Sequence, residues 1–381
     1  MKIIFTGDLS ASGIFYSKIK NSENVFSQEI TSFFNQANFV HVNLENPITN
    51  QPFRKDKRGA ALRAPLEVVN LLQKNNINIC LLANNHIVDC GKAGLLDTIS
   101  ILNKNNILYY GISNKPKYII LKKENMRIAL ISSAHIEGPM GNENRLGPYF
   151  LNNRRIKKII EEIKKNENVD SIIYNYHGGT EYNIIPEPQR RRFFKELINY
   201  GVDIVFGHHA HVPQGVERHK NGIIFYGLGN LVFDLKSQKD KAYTNLSYFI
   251  ELNFKKNKPV EFMEHFYYID YKMGRIILLQ DDSIKKRIKN KIQVFKDEEE
   301  YKQAWLEESY RVYLFNRKID FFSSNLPNNE INKNNNKQKK RNILNRILSL
   351  IKRLSLDSIK SNKRPFVIGA IKRGLKYGVR R

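Results

Sequence analysis

The alternation of short apolar runs with amphipathic segments most constrains how this 381-residue chain can fold. Apolar runs at 2–7, 77–83 and 203–209 predict β-strands. The segments 154–166 and 186–201 repeat apolar residues with a helical period, which predicts helices. Strand–helix alternation of this kind is typical of an α/β domain built on layered sheets, which we expect to cover residues 1–255.

The rest of the pattern predicts six further strands in this domain, at 39–45, 107–112, 118–123, 127–134, 171–177 and 222–233, and three segments beyond it. The apolar-rich stretch GIIFYGLGNLVF at 222–233 is read as a single strand. Residues 256–322 combine strand-like and helical patterns, and we expect them to pack on the first domain. Polar, low-complexity sequence at 323–340 predicts a linker, and residues 341–381 form a helical, basic, amphipathic C-terminal extension.

Much of the positive charge lies in that extension. The formal net charge is +26, and residues 331–381 hold nine lysines and seven arginines against one aspartate. The main domain therefore has a moderate basic excess, and we expect no specific nucleic-acid partner. The basic amphipathic pattern at 342–360 favours peripheral contact with an anionic membrane surface or, alternatively, a helix docked on its own domain.

The sequence contains neither a signal-peptide pattern nor an apolar stretch long enough to span a membrane. The opening MKIIFTGDLS passes from a short apolar run directly to Gly-Asp, without a cleavage site. No window approaches the roughly 18 apolar residues of a membrane-spanning helix. These patterns predict a cytoplasmic protein, with a position at the inner face of the membrane as the alternative.

Polar side chains collect where the predicted strands end. In an open α/β sheet the carboxyl ends of the strands share one edge, so residues distant in sequence converge there. Three histidines lie within four residues in the segment DIVFGHHAH, although the whole chain has only nine. The residues at these strand ends are Asp8, Glu45, Asn84, Asn85, His86, Asp89, His177, His208, His209 and His211.

This set of side chains predicts a metal centre. Imidazoles with carboxylates suit Mn, Fe, Zn or Co, and the donors exceed what one ion takes, so we expect two divalent ions. Such a pair activates water and stabilises an in-line phosphoryl displacement. The residue types alone leave other roles open, with Asp8 as a helix cap, Glu45 paired with a lysine, and the Asn84–His86 segment as an ordinary turn.

The chain resembles the CapA capsule-synthesis family, which belongs to the calcineurin-like metallophosphoesterases. The motifs that carry the resemblance are the N-terminal GD, NLENP, LANNHIVDCGKAGLLDT, HGGTEY, the segment ending in GHHAHVPQ, and YGLGNLVFD, in the family's order over residues 1–250. The resemblance implies a four-layer α/β/β/α sandwich around a dinuclear metal site. It also implies a role in poly-γ-glutamate or surface-polymer production.

The resemblance further implies a role for each matching residue. Asp8 would bind the first metal, Glu45 would bridge both ions, and His86 would act on the phosphate as an acid or electrostatic stabiliser. Asn85, His177, His209 and His211 would complete the ligand set. The remaining candidates would orient ligands or contact substrate, and these are Asn84, Asp89, Glu181, His208 and Asn230. Strand alternation would let His209 and His211 face one side, although His208 with His211 stays open as the pair.

Two positions depart from the family pattern. Asp8 is followed by Leu9 and Ser10, whereas many metallophosphoesterases have Asp-X-His there, which predicts that one metal is held differently. Gly178 stands where the family often has tryptophan, which affects the shape of the substrate cleft.

These observations predict a metal-dependent hydrolase that acts on a phosphorylated or polymeric substrate in capsule, poly-γ-glutamate or surface-polymer synthesis. A non-catalytic assembly factor and a protein directed at amide bonds of the polymer stay open as alternatives. The chain has no G-x-x-x-x-G-K-[ST] loop, so a nucleotide-driven ligase would need a separate partner. A nuclease is disfavoured because so much of the basic charge lies in the extension.

Overall fold

The computed structural model describes residues 1–57, 59–113, 117–135, 146–150 and 152–316. These residues belong to one compact unit, Met1–Ile319. The predicted linker at 323–340 and the predicted amphipathic extension at 341–381 lie outside the described residues, and both stay predictions.

The described part of the chain alternates strands and helices. In chain order the elements are β1 (Lys2–Leu9), α1 (Ile14–Lys20), α2 (Gln28–Asn35), β2 (Phe39–Leu44), α3 (Val68–Lys74), β3 (Ile77–Leu81), α4 (Gly91–Lys104), β4 (Leu108–Tyr110), β5 (Tyr118–Lys123), β6 (Met126–His135), α5 (Asn153–Asn166), β7 (Ser171–Gly178), α6 (Pro188–Tyr200), β8 (Ile204–His208), β9 (Val216–His219), β10 (Gly222–Phe225), β11 (Asn230–Val232), α7 (Lys236–Lys239), β12 (Leu246–Asn253), β13 (Glu261–Asp270), β14 (Arg275–Leu278), α8 (Asp282–Ile292) and α9 (Glu298–Asn316).

The described strands form two sheets. The first has the order β14-β13-β12-β1-β2-β3-β4, with β11 paired to β1, and the second has the order β5-β6-β7-β8-β10-β9. Strands β1 to β4 run parallel, while β12, β13 and β14 extend the same sheet in antiparallel fashion. In the second sheet β6, β7, β8 and β10 run parallel.

Alternation along β1 shows how the two sheets are layered. Ile3 and Phe5 join the cluster that contains the second sheet, whereas Ile4 joins the cluster formed with helices α1 to α4. The ring of Phe5 stacks on Phe206 of β8, with ring centroids 4.3 Å apart. Helices α5 and α6 bury their apolar faces against the second sheet. The predicted four-layer α/β/β/α arrangement is therefore confirmed.

The outer helices form where the sequence pattern places them. In α5 the buried residues are Ile156, Ile159, Ile160 and Ile163, which share one face. The Asn152 side chain caps this helix by accepting a hydrogen bond from the backbone N–H of Arg155. Helix α6 begins with a proline and ends at Gly201, whose φ of 102° lies in the left-handed region.

The single strand predicted over 222–233 is wrong. The segment forms β10 in the second sheet and β11 beside β1 in the first, so the chain crosses between sheets within it. Gly227, Gly229 and Asn230 lie where β10 gives way to β11, and these turn-forming residues were the available signal for the break. Helices α1 and α2 were not predicted either, because each spans only about two turns.

None of the described helices combines the length and apolar character needed to cross a membrane.

The Phe5–Phe206 contact generates the first prediction. Phe206→Ala removes a fully buried ring between the sheets, and we expect a loss of about 3–5 kcal/mol in the free energy of unfolding. Urea denaturation measures this loss. The control Phe53→Ala removes a ring that is 42% exposed and should change stability by no more than about 0.5 kcal/mol. Equal losses in both variants would contradict the packing described here.

Candidate metal centre

Both sheets contribute side chains to one buried site. Asp8 lies in β1, Glu45 follows β2 and Asn85 follows β3, while His177 lies in β7 and the three clustered histidines lie at and after the end of β8. The expectation that one open sheet presents all of them at one edge is wrong, because the strands belong to two facing sheets. Packing of the sheets, rather than strand order within one sheet, brings the residues together.

A close approach of two strands sets the position of Asp8. The backbone N–H of Asp8 donates to the Gly229 carbonyl at 2.9 Å, and Asp8 pairs in register with Asn230 of β11. A Cβ at Gly7 would lie only 1.9 Å from that carbonyl oxygen. The glycine of the N-terminal GD motif is therefore required for β1 to meet β11 at this point.

The histidine-rich turn does not continue the strand. Strand β8 ends at His208, and His209 and His211 have φ angles of 83° and 57°, in the left-handed region that non-glycine residues seldom adopt. The prediction that strand alternation aligns His209 with His211 is therefore wrong in its reasoning. The strained backbone directs both imidazoles towards the site, and the N–H of His209 donates to Oδ2 of Asp8 at 3.1 Å.

Glu45 has a buried side chain that lacks a hydrogen-bond partner among the described residues. Its side chain is fully buried, and neither carboxylate oxygen accepts a hydrogen bond from any described residue. Oε1 lies 3.6 Å from Nε2 of His177 and 3.8 Å from Nε2 of His211, too far for hydrogen bonds. A buried carboxylate without a donor is costly, so Glu45 either holds a proton or needs a cation beside it.

Three overlapping groups of side chains bring their ligand atoms within 4.8 Å of one another. One contains Glu45, His177 and His209, and another contains Asp8, Glu45 and His211. The third contains Glu181, His209 and His211. Glu45, His209 and His211 each belong to two groups, and of these three Glu45 is the carboxylate, the residue type that could bridge two ions. Asn85 extends the first group, since its Oδ1 lies 2.8 Å from Nε2 of His177.

Two asparagines orient the ligand side chains. Oδ1 of Asn230 lies 2.9 Å from Nδ1 of His211, which leaves Nε2 of that ring facing Glu45. The amide of Asn43 contacts Oδ1 of Asp8 at 2.8 Å and Nδ1 of His177 at 3.0 Å. The sequence analysis missed Asn43 as a site residue. Its position two residues before Glu45, on the same face of the strand, was the available signal.

Two other candidates lie at the margin of these groups. His208 places Nδ1 3.2 Å from Oδ1 of Asp8 and Nε2 3.4 Å from Oδ1 of Asn175, outside all three groups. Asn84 is buried, and its Oδ1 accepts hydrogen bonds from the backbone N–H groups of His86 and Ile87. Asn84 therefore holds the turn that presents Asn85 and His86.

His86 is held by Asp89 and by a lysine that the sequence analysis did not single out. Nδ1 of His86 lies 2.7 Å from Oδ2 of Asp89, so Nε2 is the nitrogen left for a substrate. Lys57 pairs with the other oxygen of Asp89, and the backbone N–H of Leu62 donates to Oδ2 at 2.8 Å. Asp89 thereby ties the loop that follows Ile48 to the catalytic candidate.

Burial and neighbouring charges shift the pKa values of the site's ionisable groups in different directions. Burial lowers the pKa of His177 well below its usual value and that of His209 to about 4, so both rings are neutral at neutral pH. Burial opposes ionisation of Asp8, but the adjacent His208 imidazole outweighs it, and the pKa of Asp8 is lowered. Burial, reinforced by nearby carboxylates, raises the pKa of Glu45 well above its usual value.

The residues fit divalent metal ions. Neutral imidazoles are ready ligands, and a dication would supply the positive charge that the unpartnered Glu45 carboxylate lacks. Ligands about 2.1 Å from a shared ion lie roughly 3 Å or more apart, which matches the separations around Glu45. Nitrogen and oxygen donors without thiolate favour Mn, Fe, Zn or Co. Asp8, Glu45, Asn85, His177, His209 and His211 would hold the ions.

Comparison with known families identifies the family of this chain. The family model described as bacterial capsule synthesis protein PGA_cap matches residues 2–235, which include all the residues of the site. The chain therefore belongs to this family of bacterial capsule synthesis proteins, and the resemblance predicted from the sequence motifs is confirmed.

Relatives with assigned names lie in the same family. The chain is 29% identical over 237 residues to the capsule biosynthesis protein CapA of Bacillus anthracis, covering 59% of this chain and 58% of that protein. It is 29% identical over 260 residues to the PGA biosynthesis protein CapA of Bacillus subtilis strain 168, covering 65% and 67%. The matches thus span about three fifths to two thirds of these relatives.

Among solved structures, a 5′-nucleotidase precursor from Thermus thermophilus is similar with 13% identity and a TM-score of 0.40, covering 82% of this chain and 59% of that one. A likeness of this size carries no conclusion about what the present chain does.

The unpartnered carboxylate generates the second prediction. An ion that binds only the folded chain at 100 times its Kd stabilises it by about 2.7 kcal/mol, and we expect this gain for wild type in Mn²⁺ relative to chelator. Glu45→Gln keeps the shape but removes the charge, so its gain should fall below about 1 kcal/mol. Urea unfolding with and without Mn²⁺ measures both values.

The stabilisation by Mn²⁺ can also be measured as a function of pH and in a control variant with a surface substitution. Because the pKa of Glu45 is raised, the ion must displace a proton, and the gain should shrink as the pH falls through that pKa. Glu29→Gln alters an exposed carboxylate and should keep the full wild-type gain. An undiminished gain in Glu45→Gln would show that Glu45 does not bind the ion.

Proposed function

We propose that this chain is a metal-dependent hydrolase of the phosphoesterase type that acts in capsule, poly-γ-glutamate or surface-polymer synthesis. One observation carries the proposal. The buried Glu45 carboxylate accepts no hydrogen bond from the described residues. It belongs to two of the groups of potential metal ligands. Two divalent ions in these groups would polarise a phosphoryl oxygen and activate water for in-line displacement.

The chain's own residues define the rest of the site. Asp89 binds Nδ1 of His86, which fixes the ring and leaves Nε2 for the substrate. Burial lowers the pKa of His86 and the Asp89 carboxylate partly offsets this, so the ring would first take up a proton at Nε2 and then donate it to the leaving-group oxygen. Lys57 pairs with Asp89 and limits the negative charge beside the ring. His86 is 8% exposed, so the reaction would take place with little bulk water around this ring.

The cellular role is proposed from the family. The named relatives are a capsule biosynthesis protein and a PGA biosynthesis protein, which supports a polymer or a phosphorylated precursor of it as the substrate. Contact of residues 341–381 with an anionic membrane surface would place the chain beside a polymer-assembly machinery, and it stays a prediction. A non-catalytic or amide-directed role in the same process is the alternative that the next experiment separates.

The third prediction concerns metal content and turnover. We expect the wild-type chain to hold about two Mn²⁺ ions and to hydrolyse mono- or bis-p-nitrophenyl phosphate, because both groups share Glu45. The double variant that carries His209→Ala and His211→Ala should lose both the bound metal and the hydrolytic activity. His219→Ala, which alters a histidine outside these groups, should lose neither. Elemental analysis and p-nitrophenol release are the measurements.

The outcomes separate the candidate functions. Two ions with hydrolysis that depends on His209 and His211 would support the proposed function. Bound metal without any phosphoester turnover would move the assignment to amide chemistry or assembly. A wild-type chain that retains no metal would refute the centre described here.

The fourth prediction isolates His86. Its ring belongs to none of the three ligand groups, so His86→Ala should keep the wild-type metal content. Loss of a positioned acid should lower kcat by about 10²- to 10⁴-fold. Steady-state kinetics on the metal-loaded variant measures this effect. Unchanged kcat with full metal content would exclude His86 from the reaction.

A further inference from the structure

Glu181 lies on the open side of the metal centre. It follows β7 in the segment that leads to α6, and its side chain is 41% exposed, whereas the Asp8 and Glu45 side chains are buried. The sequence analysis gave Glu181 the role of orienting a ligand or contacting substrate. The position of its carboxylate favours a different role.

The carboxylate is placed as a ligand rather than as a hydrogen-bond partner of the histidines. Oε1 of Glu181 lies 3.9 Å from Nε2 of His209, too far for a hydrogen bond. Its oxygen and the ring nitrogens of His209 and His211 lie within 4.8 Å of one another. The same two imidazoles belong to the groups that contain Glu45, so Glu181 approaches from a second direction.

The backbone around Glu181 is built to hold this position. Tyr182 has a φ of 62°, a strained conformation for an aromatic residue, and its N–H donates to the carbonyl of Ala210 at 2.8 Å. Arg311 of α9 donates to the Tyr182 carbonyl at 3.0 Å. These bonds tie the Glu181 segment directly to the histidine-rich turn.

Side-chain packing adds to this anchoring. The Tyr182 ring stacks on His211 with centroids 6.0 Å apart, and Nζ of Lys241 lies 3.7 Å from the centroid of the Tyr182 ring. At Gly178, a Cβ would lie 2.6 Å from the His135 carbonyl oxygen, so the chain can make this turn only without a side chain. The segment is thus fixed on both sides of Glu181.

We propose that Glu181 is a third carboxylate ligand of the metal centre, shared with His209 and His211 and facing the side from which substrate enters. This inference rests on the metal centre of the proposed function. Three carboxylates against two dications leave a net positive charge, which suits an anionic substrate. An additional carboxylate oxygen also favours a hard ion such as Mn²⁺.

Metal binding by the chelator-treated full chain tests the assignment. Mn²⁺ titration by calorimetry, with the stoichiometry from elemental analysis, should show binding at one site weakened by more than about 100-fold in Glu181→Gln, beyond the roughly 10- to 100-fold expected when a group that only orients a ligand is lost. A loss of only about tenfold would overturn the ligand assignment in favour of an orienting role. Glu187→Gln is the matched control, because its carboxylate lies in the same segment but faces Arg190 at 3.4 Å and belongs to no ligand group. This control should bind as wild type does.

A second variant keeps the test valid if the first does not fold. Glu181→Asp retains the charge one methylene shorter, so its affinity should lie between those of wild type and Glu181→Gln. Wild-type binding in both variants would overturn the ligand assignment, and so would a wild-type chain that binds no metal. Because the readout is binding, a chain that binds two ions but hydrolyses nothing overturns the proposed reaction and leaves the Glu181 comparison decisive.

Discussion

The buried carboxylate of Glu45 is the constraint on which this site depends. A fully buried carboxylate that accepts no hydrogen bond from the described residues is unfavourable unless positive charge compensates it. Imidazole nitrogens of His177 and His211 lie 3.6 and 3.8 Å from its Oε1, and burial keeps the His177 ring neutral. A divalent cation in the ligand groups that contain Glu45 would supply that charge.

The same site joins the two sheets. Asp8 of the first sheet accepts a hydrogen bond from the backbone of His209, which follows the last residue of β8 in the second sheet. That bond helps hold a turn in which His209 and His211 both adopt left-handed conformations, each at a cost of about 1–3 kcal/mol. Below the site, the Phe5–Phe206 stack fixes the spacing of the sheets. Packing of the core thus positions the candidate ligand side chains, and contacts from both sheets hold the strained turn.

Much of the fold and of the site could be predicted because strand ends carry a local signal. Asp8 and His177 are polar residues near the ends of apolar runs, and that contrast is visible in the sequence alone. The pattern failed where the information is not local. The glycines within 222–233 mark a break but do not show that the chain crosses to the other sheet there. His209 and His211 reach the site through a turn rather than through alternation. Lys57 was missed because nothing in its loop indicates contact with Asp89.

The sequence by itself determined the inventory of donors and their attachment to strand ends, because the period of apolar residues and the residue types are properties of neighbouring positions. Only the tertiary structure decided which donors form a group. Asp8 and His211 are some two hundred positions apart, and their separation depends on how two sheets pack and twist. For the same reason only the structure shows that Glu45 is common to two ligand groups and that Glu181 stands on the open side. Distances between remote segments follow from the packing of the whole core, which no local pattern encodes.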